Sequence, residues 1–407
     1  GSFFSWFVCI PIVYFLAPEH VMHINGQSVL LADAPIRKVF LDYVRHIGIG
    51  MLAMAGIIGL LSMSKVVGNV VKKAVLDIFT SKTTEVNLLR TQRDVPTSWI
   101  GAGILLCTVL FAVYFHFMYS ESLAQTGVAF LIVLIMSFLL AVVGISSIAY
   151  TGTEPVSGMT IFMIIISAVC LTAAGMTGKV GMIAVLMMAS FIGTTIGMAG
   201  NFMSELKVAH MTGATPKKME QWQIVGTILC AVLSVGVMIL LNDAYGFVGD
   251  HALNAPQANA MAAIIEPMMT GGSAQWPLYM AGALFAIILW MVKVPPLAFA
   301  LGTYLPMEIN TPLLIGGLIA YFVQNSTKDK ELADLRFSKG STIASGLVAG
   351  GAIGSLFSAV LRIAGIDVFA QDWVETPEAT YLSIVMYLLL CVFLYKVAMY
   401  VKAKKAK

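Results

Sequence analysis

Charged residues are scarce in this chain, and a few stand where charge is expensive. Glu308 lies in Leu305-Pro-Met-Glu-Ile-Asn310, flanked by Pro306 and Pro312 and set among apolar residues. A carboxylate at membrane depth is costly and usually functional, which suits it to carry a proton or meet a substrate. It suits equally a carboxylate that caps the next helix, and the two roles do not exclude each other. Glu266 follows Asn254-Ala-Pro-Gln257 in an otherwise apolar segment, so it lines a shared cavity or sits on an outer face. Glu154 stands inside Gly152-Thr-Glu-Pro-Val-Ser-Gly158, where two glycines and Pro155 make a continuous helix unfavourable. A helix restarting near Pro155 would aim its free N–H groups at the break. Glu154, Pro155, Ser157 and Gly158 thus form either a substrate-lining break or a plain turn. Asn254, Gln257, Tyr304 and Asn310 add neutral hydrogen-bonding groups of the kind that orient a small molecule between apolar walls.

Other chemistries find little support. The chain contains no Walker A string, no His-Glu-x-x-His and no Gly-x-Ser-x-Gly, so ATP drive, zinc hydrolysis and a serine nucleophile lack their motifs. An intramembrane enzyme or a passive channel remains an alternative to a carrier, but no nucleophile and base pair supports the enzyme. Cys9, Cys107, Cys170, Cys230 and Cys391 are scattered through apolar runs and read as small hydrophobes, with no cofactor or metal implied. Glu19-His20 and His23 form a short string without a further ligand, and His116 on an apolar face reads as a packing residue. Lys179 and Lys293 read as snorkelling cations at helix ends, and Asn201 as part of a small-residue packing stripe, Gly193 to Gly200.

These residues need a scaffold, and composition determines which. Of 407 residues, 59% are hydrophobic and only 11% charged, with a mean hydropathy of +0.89. A soluble domain is about 45–50% apolar and about 25% charged, so an all-α polytopic membrane protein is expected, with about ten to eleven spans. The net charge of +3 is too small and too dispersed for nucleic acid. Apolar runs fall at about 3–17, 47–64, 98–119, 124–148, 159–176, 180–200, 222–241, 276–292, 309–325, 341–364 and 379–401. Lys and Arg mark cytoplasmic loops near 65–97, 202–220 and 326–340 and a cytoplasmic C-terminus. Loops then alternate until 242–325, where two obvious runs cannot supply the odd number of crossings required. A broken or re-entrant segment is expected there, around 253–269 or 295–312.

Four stretches together resemble the oligopeptide transporter family, which includes the yellow stripe-like metal-chelate carriers. They are Thr153-Glu-Pro-Val-Ser-Gly-Met-Thr-Ile161, Arg90-Thr-Gln-Arg-Asp-Val-Pro96, Ser204-Glu-Leu-Lys-Val-Ala-His-Met-Thr-Gly-Ala-Thr-Pro216, and Leu253-Asn-Ala-Pro-Gln-Ala258 with Ala300-Leu-Gly-Thr-Tyr-Leu-Pro-Met-Glu-Ile-Asn-Thr-Pro-Leu313. Glu154 stands where the family often has asparagine or serine, and Val208-Ala-His210 departs from its threonine-glycine-tyrosine. The likeness runs over about residues 1–400, and residues 1–407 read as a single transport domain matching the C-terminal portion of a bacterial-type member. It implies a secondary active transporter in the plasma or inner membrane: proton-coupled symport of short oligopeptides or peptide-like metal chelates by alternating access. The implied substrate-facing residues are Glu154, Pro155, Ser157, Gly158, Asn254, Gln257, Tyr304 and Asn310. Glu308 and Glu266 are the implied proton carriers. The implied partners are substrate, protons and the bilayer, with room for a homo-oligomer.

Overall fold

The computed structural model describes the chain apart from residues 17, 25–26, 63, 66–67, 70–71, 73–89, 152–155, 248–254, 272–274, 367–372, 374–375 and 402–407. All the apolar runs fold as helices: α1 (Ser2–Leu16), α2 (Ile36–Ser62), α3 (Thr97–Tyr119), α4 (Leu123–Thr151), α5 (Val156–Ala173), α6 (Gly178–Thr212) and α7 (Pro216–Tyr245). They continue as α8 (Pro256–Thr270), α9 (Trp276–Met291), α10 (Pro296–Tyr304), α11 (Met307–Gln324), α12 (Lys330–Ile363) and α13 (Pro377–Met399). Seven of these are long and apolar enough to cross a membrane, and the chain is a multi-pass, all-α membrane protein. The sequence reading missed one small hairpin, β1 (Val21–Ile24) against β2 (Gln27–Leu30), antiparallel with Val21 opposite Leu30. The Glu19-His20-x-x-His23 string runs into it.

Three boundaries differ from the sequence reading for clear reasons. The segment 202–220 is not a loop: α6 continues to Thr212, Gly213 closes it at φ 70 in the left-handed region, and α7 starts at Pro216. Likewise α12 begins at Lys330, where the Asp329 carboxylate accepts from the Glu331 N–H at 3.1 Å and caps the exposed first turn. At 1.5 Å per residue, helices of 35 and 34 residues reach about 50 Å. That outreaches a hydrocarbon core of about 30 Å, so basic residues ride on helix extensions. Third, α2 starts at Ile36, eleven residues ahead of the apolar run, and passes through a π-turn at Phe40–Val44. The interval 242–325 holds α8 and α10, 15 and 9 residues long, too short to span individually.

The chain divides into two compact units, one of residues 1–225 with 256–306 and one of 226–255 with 307–407. In the first, α2 is central and packs on α5, α9 and α10, while α6 packs on α4 and α5. Ile49, Met51, Leu52, Met163, Ile164, Val185 and Met188 are among its fully buried residues. Glycines let the backbones touch. A Cβ on Gly50 would overlap the Tyr279 carbonyl oxygen, and one on Gly282 would overlap that of Ile47. This is the small-residue packing that membrane helices use when lipid offers no hydrophobic incentive to associate.

In the second unit, α11, α12 and α13 pack on one another. The Arg336 guanidinium donates to Ser326 Oγ at 2.8 Å and to the Val401 carbonyl at 3.3 Å, tying α12 to the end of α13. Tyr245 lies under the Arg362 guanidinium at 5.1 Å. Most apolar side chains here face outward, Val348 at 75% and Leu313 at 66% exposure among them. Such faces call for acyl chains as their surroundings.

Candidate functional site

The break after α10 is built from three local facts. Pro306 follows Leu305, whose backbone is extended, and α10 ends at Tyr304. The last carbonyls of α10 then lack helical donors. Ser5, buried in α1, supplies one: its hydroxyl donates to the Thr303 carbonyl at 3.0 Å across 298 residues. Tyr304 itself is 2% exposed, and its backbone presses on α2 so closely that a Cβ on Gly48 would stand 2.8 Å from the Tyr304 Cα.

Three residues before Gly48 lies a feature the sequence reading passed over. Arg45 and His46 sit in α2 directly after its π-turn, about 14 Å along a helix of about 40 Å. The facing helix α1 carries its own π-turn, Ser5–Cys9, and the Trp6 ring stacks on Phe40 at 5.4 Å between the two. π-turns inside helices are uncommon and recur at functional sites. Of the five buried side-chain polar atoms left without a hydrogen-bond partner among the described residues, three are here: Trp6 Nε1, Arg45 Nε and His46 Nδ1. The Asp42 backbone, one turn back, comes near the imidazole without closing a hydrogen bond of ordinary geometry to Nδ1. The Asp42 carboxylate pairs instead with Lys38 at 3.3 Å.

Tyr279 of α9 links this cluster to a cavity. Its ring lies 5.5 Å from that of His46. Beyond it, a cavity of about 150 Å³ is walled by Ile49, Met54, Met268, Trp276, Tyr279 and Met280, apolar apart from the tyrosine and tryptophan tips. The Tyr279 hydroxyl donates to the Ala263 carbonyl at 3.1 Å. Pro267 sits inside α8, four residues after Ala263, and provides no N–H to that carbonyl. A larger cavity of about 930 Å³ lies among α3, α4, α6 and the start of α7, lined by Trp99, Cys107, Phe191, Lys217 and Glu220. Ser137 on its wall has a buried, unpartnered hydroxyl.

The residues named from the sequence are dispersed. Tyr304 is buried beside the Arg45 cluster. Gly158 is buried against α2, where a Cβ on Gly56 would stand 2.8 Å from the Gly158 carbonyl oxygen, so its missing side chain serves a helix contact. Gln257 and Glu266 are exposed on α8, whereas Ile264 and Ile265 beside Glu266 are buried. Glu308 is exposed in the first turn of α11, and Asn310 is half-buried two residues on; both belong to the second unit. Glu154, Pro155 and Asn254 lie outside the described residues, as does the side chain of Ser157. Elsewhere His116 Nδ1 meets Thr126 Oγ1 at 2.9 Å, a satisfied packing histidine. Lys293 takes φ 63 just past α9, a left-handed position that its side chain makes costly.

The signal for Arg45 was present: a cation within 27 residues of near-continuous helix-forming sequence. It goes unread when Arg45 and His46 are taken as the edge of the apolar run instead of its interior. Two motifs that the sequence singled out do meet. Arg90 Nη2 donates to the Gly213 carbonyl at 2.9 Å, the Lys217 N–H to the Arg93 carbonyl at 3.0 Å, and the Val95 N–H to Glu220 Oε2 at 2.9 Å. The segment of residues 90–96, which opens with a 3-10 turn at Arg90–Gln92, is thereby clasped to the turn between α6 and α7.

Comparison with known proteins agrees with this architecture. Over 410 aligned residues the chain is 26% identical to a protein of Haemophilus influenzae named "Putative oligopeptide transporter", covering 90% of this chain and 63% of that one. It is 27% identical over 189 residues to "Probable metal-nicotianamine transporter YSL11" of Oryza sativa subsp. japonica, covering 42% of this chain and 26% of that one. It is 28% identical over 205 residues to "Probable metal-nicotianamine transporter YSL5" of Arabidopsis thaliana, covering 46% and 28%. The chain therefore spans less than two thirds of the bacterial relative and little more than a quarter of the plant ones. No solved structure matches. A family model described as "OPT oligopeptide transporter protein" matches residues 1–362, so the chain belongs to that family, one of transporters and not of enzymes.

Proposed function

We propose that the protein is a secondary active transporter that carries short oligopeptides or peptide-like metal chelates together with protons, by alternating access. The observation that carries this reading is family membership across most of the chain, with relatives named for both substrate classes. The break in helix that ends α10 at Tyr304 supports it, because carriers place substrate and coupling ions at broken helices. In this reading Tyr304, Gln257, Asn310, Asn254, Glu154, Pro155, Ser157 and the Gly158 backbone face substrate in the course of the cycle. Glu308 and Glu266 carry the proton. The basic helix extensions lie in the cytoplasm, as does the C-terminus, in a plasma or inner membrane.

Proteoliposome uptake tests the reading. A peptide such as trialanine, or a nickel–nicotianamine complex, should accumulate above equilibrium when an inward proton gradient is imposed. Equilibration without accumulation would instead identify a channel. Glu308→Gln should abolish the response to the gradient while leaving exchange of preloaded substrate measurable. Unchanged gradient-driven uptake in that variant removes Glu308 from the coupling role.

A further inference from the structure

We propose that Arg45, with His46 and Trp6 beside it, forms a carboxylate-binding site that holds the free carboxylate of the transported molecule. The inference rests on the transport reading and adds to it the group by which substrate is recognised.

The chemistry of the unpaired atoms points to the ligand. A guanidinium has donors only, and so has an indole N–H. Arg45 Nε and Trp6 Nε1 are buried donors without acceptors, and His46 Nδ1 is a third unpartnered nitrogen. What is missing is an acceptor, and beside an unpaired cation it should be an anion. Arg45 is half-buried with its Nε fully enclosed, and an arginine about a third of the way along a membrane helix is rare unless it serves an ion or substrate path. The carboxylate of Asp42, one turn back, pairs with Lys38 at 3.3 Å, and no ion pair is seen between it and Arg45. Guanidinium geometry favours planar two-oxygen partners, which selects carboxylate over a point anion.

The surroundings agree. The Tyr279 ring lies 5.5 Å from that of His46, and the Tyr304 backbone packs on Gly48, three residues along α2 from Arg45. The cavity of about 150 Å³ behind Tyr279 offers Met54, Trp276 and Met280 to a small apolar side chain. The two π-turns, at Ser5–Cys9 and Phe40–Val44, re-aim their helices at this point. At the turn between α6 and α7, by contrast, Glu220 already accepts from the Val95 N–H.

The test uses the full chain in detergent and in proteoliposomes, with trialanine and trialanine amide as probes. The acid should stabilise the native protein against thermal unfolding at concentrations at least tenfold lower than the amide. Arg45→Gln should erase that preference, and Arg45→Lys should keep part of it. If Arg45→Gln does not fold, phenylglyoxal labelling of the native protein decides: trialanine should protect Arg45 from modification, read by mass spectrometry, and the amide should not. Equal binding of acid and amide overturns the proposal, as does a native-like preference in Arg45→Gln or an absence of protection. Phosphatidylglycerol that stabilises through Arg45 while trialanine does not would assign the site to a lipid phosphate and overturn it too. Acid-selective binding without gradient-driven uptake leaves the site standing and refutes the transport mode.

Discussion

The Tyr279 hydroxyl donates to the Ala263 carbonyl, at 3.1 Å, and that carbonyl is the one Pro267 leaves without a helical donor. A side chain of α9 thus repairs a defect in α8. Tyr279→Phe should lower stability by about 0.5–1.5 kcal/mol, the net contribution of one hydrogen bond, here to a part-buried carbonyl. Pro267→Ala should recover most of the loss in that background by restoring the N–H. Apparent unfolding temperatures of the two single variants and the double variant in detergent check this, and simple additivity would contradict it.

Gly50→Ala and Gly282→Ala should each destabilise by about 1–3 kcal/mol or more, because the new methyl overlaps a carbonyl oxygen of the facing helix. Gly226→Ala in α7 is the control. Nothing lies within 4 Å of its Cβ position, so removing glycine's backbone freedom there should be neutral or stabilising by about 0.5–1 kcal/mol.

Lys293 adopts φ 63 as the residue closing α9, and the Val294 N–H reaches back to the Leu289 carbonyl at 2.9 Å. This is a helix ending that glycine fits best. Lys293→Gly should raise the unfolding temperature, by an amount equivalent to about 1 kcal/mol, and Lys293→Val should lower it. A drop with glycine would mean that the lysine side chain contributes more than its backbone costs.

Glu220→Ala should free the 90–96 segment from the start of α7. Hydrogen bonds to a charged acceptor contribute about 1.5–3 kcal/mol, so local opening should rise at least tenfold. Limited trypsin cleavage after Arg90 or Arg93 reports it directly. Unchanged cleavage would show that the Arg90 and Lys217 contacts hold the segment alone.

The helices are legible in the sequence because a bilayer imposes a composition, and each of the apolar runs meets it. Their ends are less legible. At 202–212 and 330–340 polar residues continue a helix into water, where amphipathic surfaces satisfy the backbone as well as loops would. The candidate site is mostly illegible for a different reason. Tyr304 is recoverable from the prolines around it, but Arg45 is noticed only once α2 is known to begin at Ile36. That its Nε has no acceptor is a property of tertiary packing, which no spacing encodes. Gly158 reads as part of a substrate-lining break and is found in a helix crossing, since glycine serves either purpose with the same letter.

The contact of α2 with α9 through Gly50 and Gly282 has a mechanical side. Where two backbones touch without side chains between them, there are no rotamers to exchange and no intermediate spacing to adopt. The pair behaves as a single beam, with Arg45 and His46 on one member and Tyr279 on the other held at a fixed separation. In the proposed transport cycle this beam would move whole, and the flexing would be found at other points along the chain.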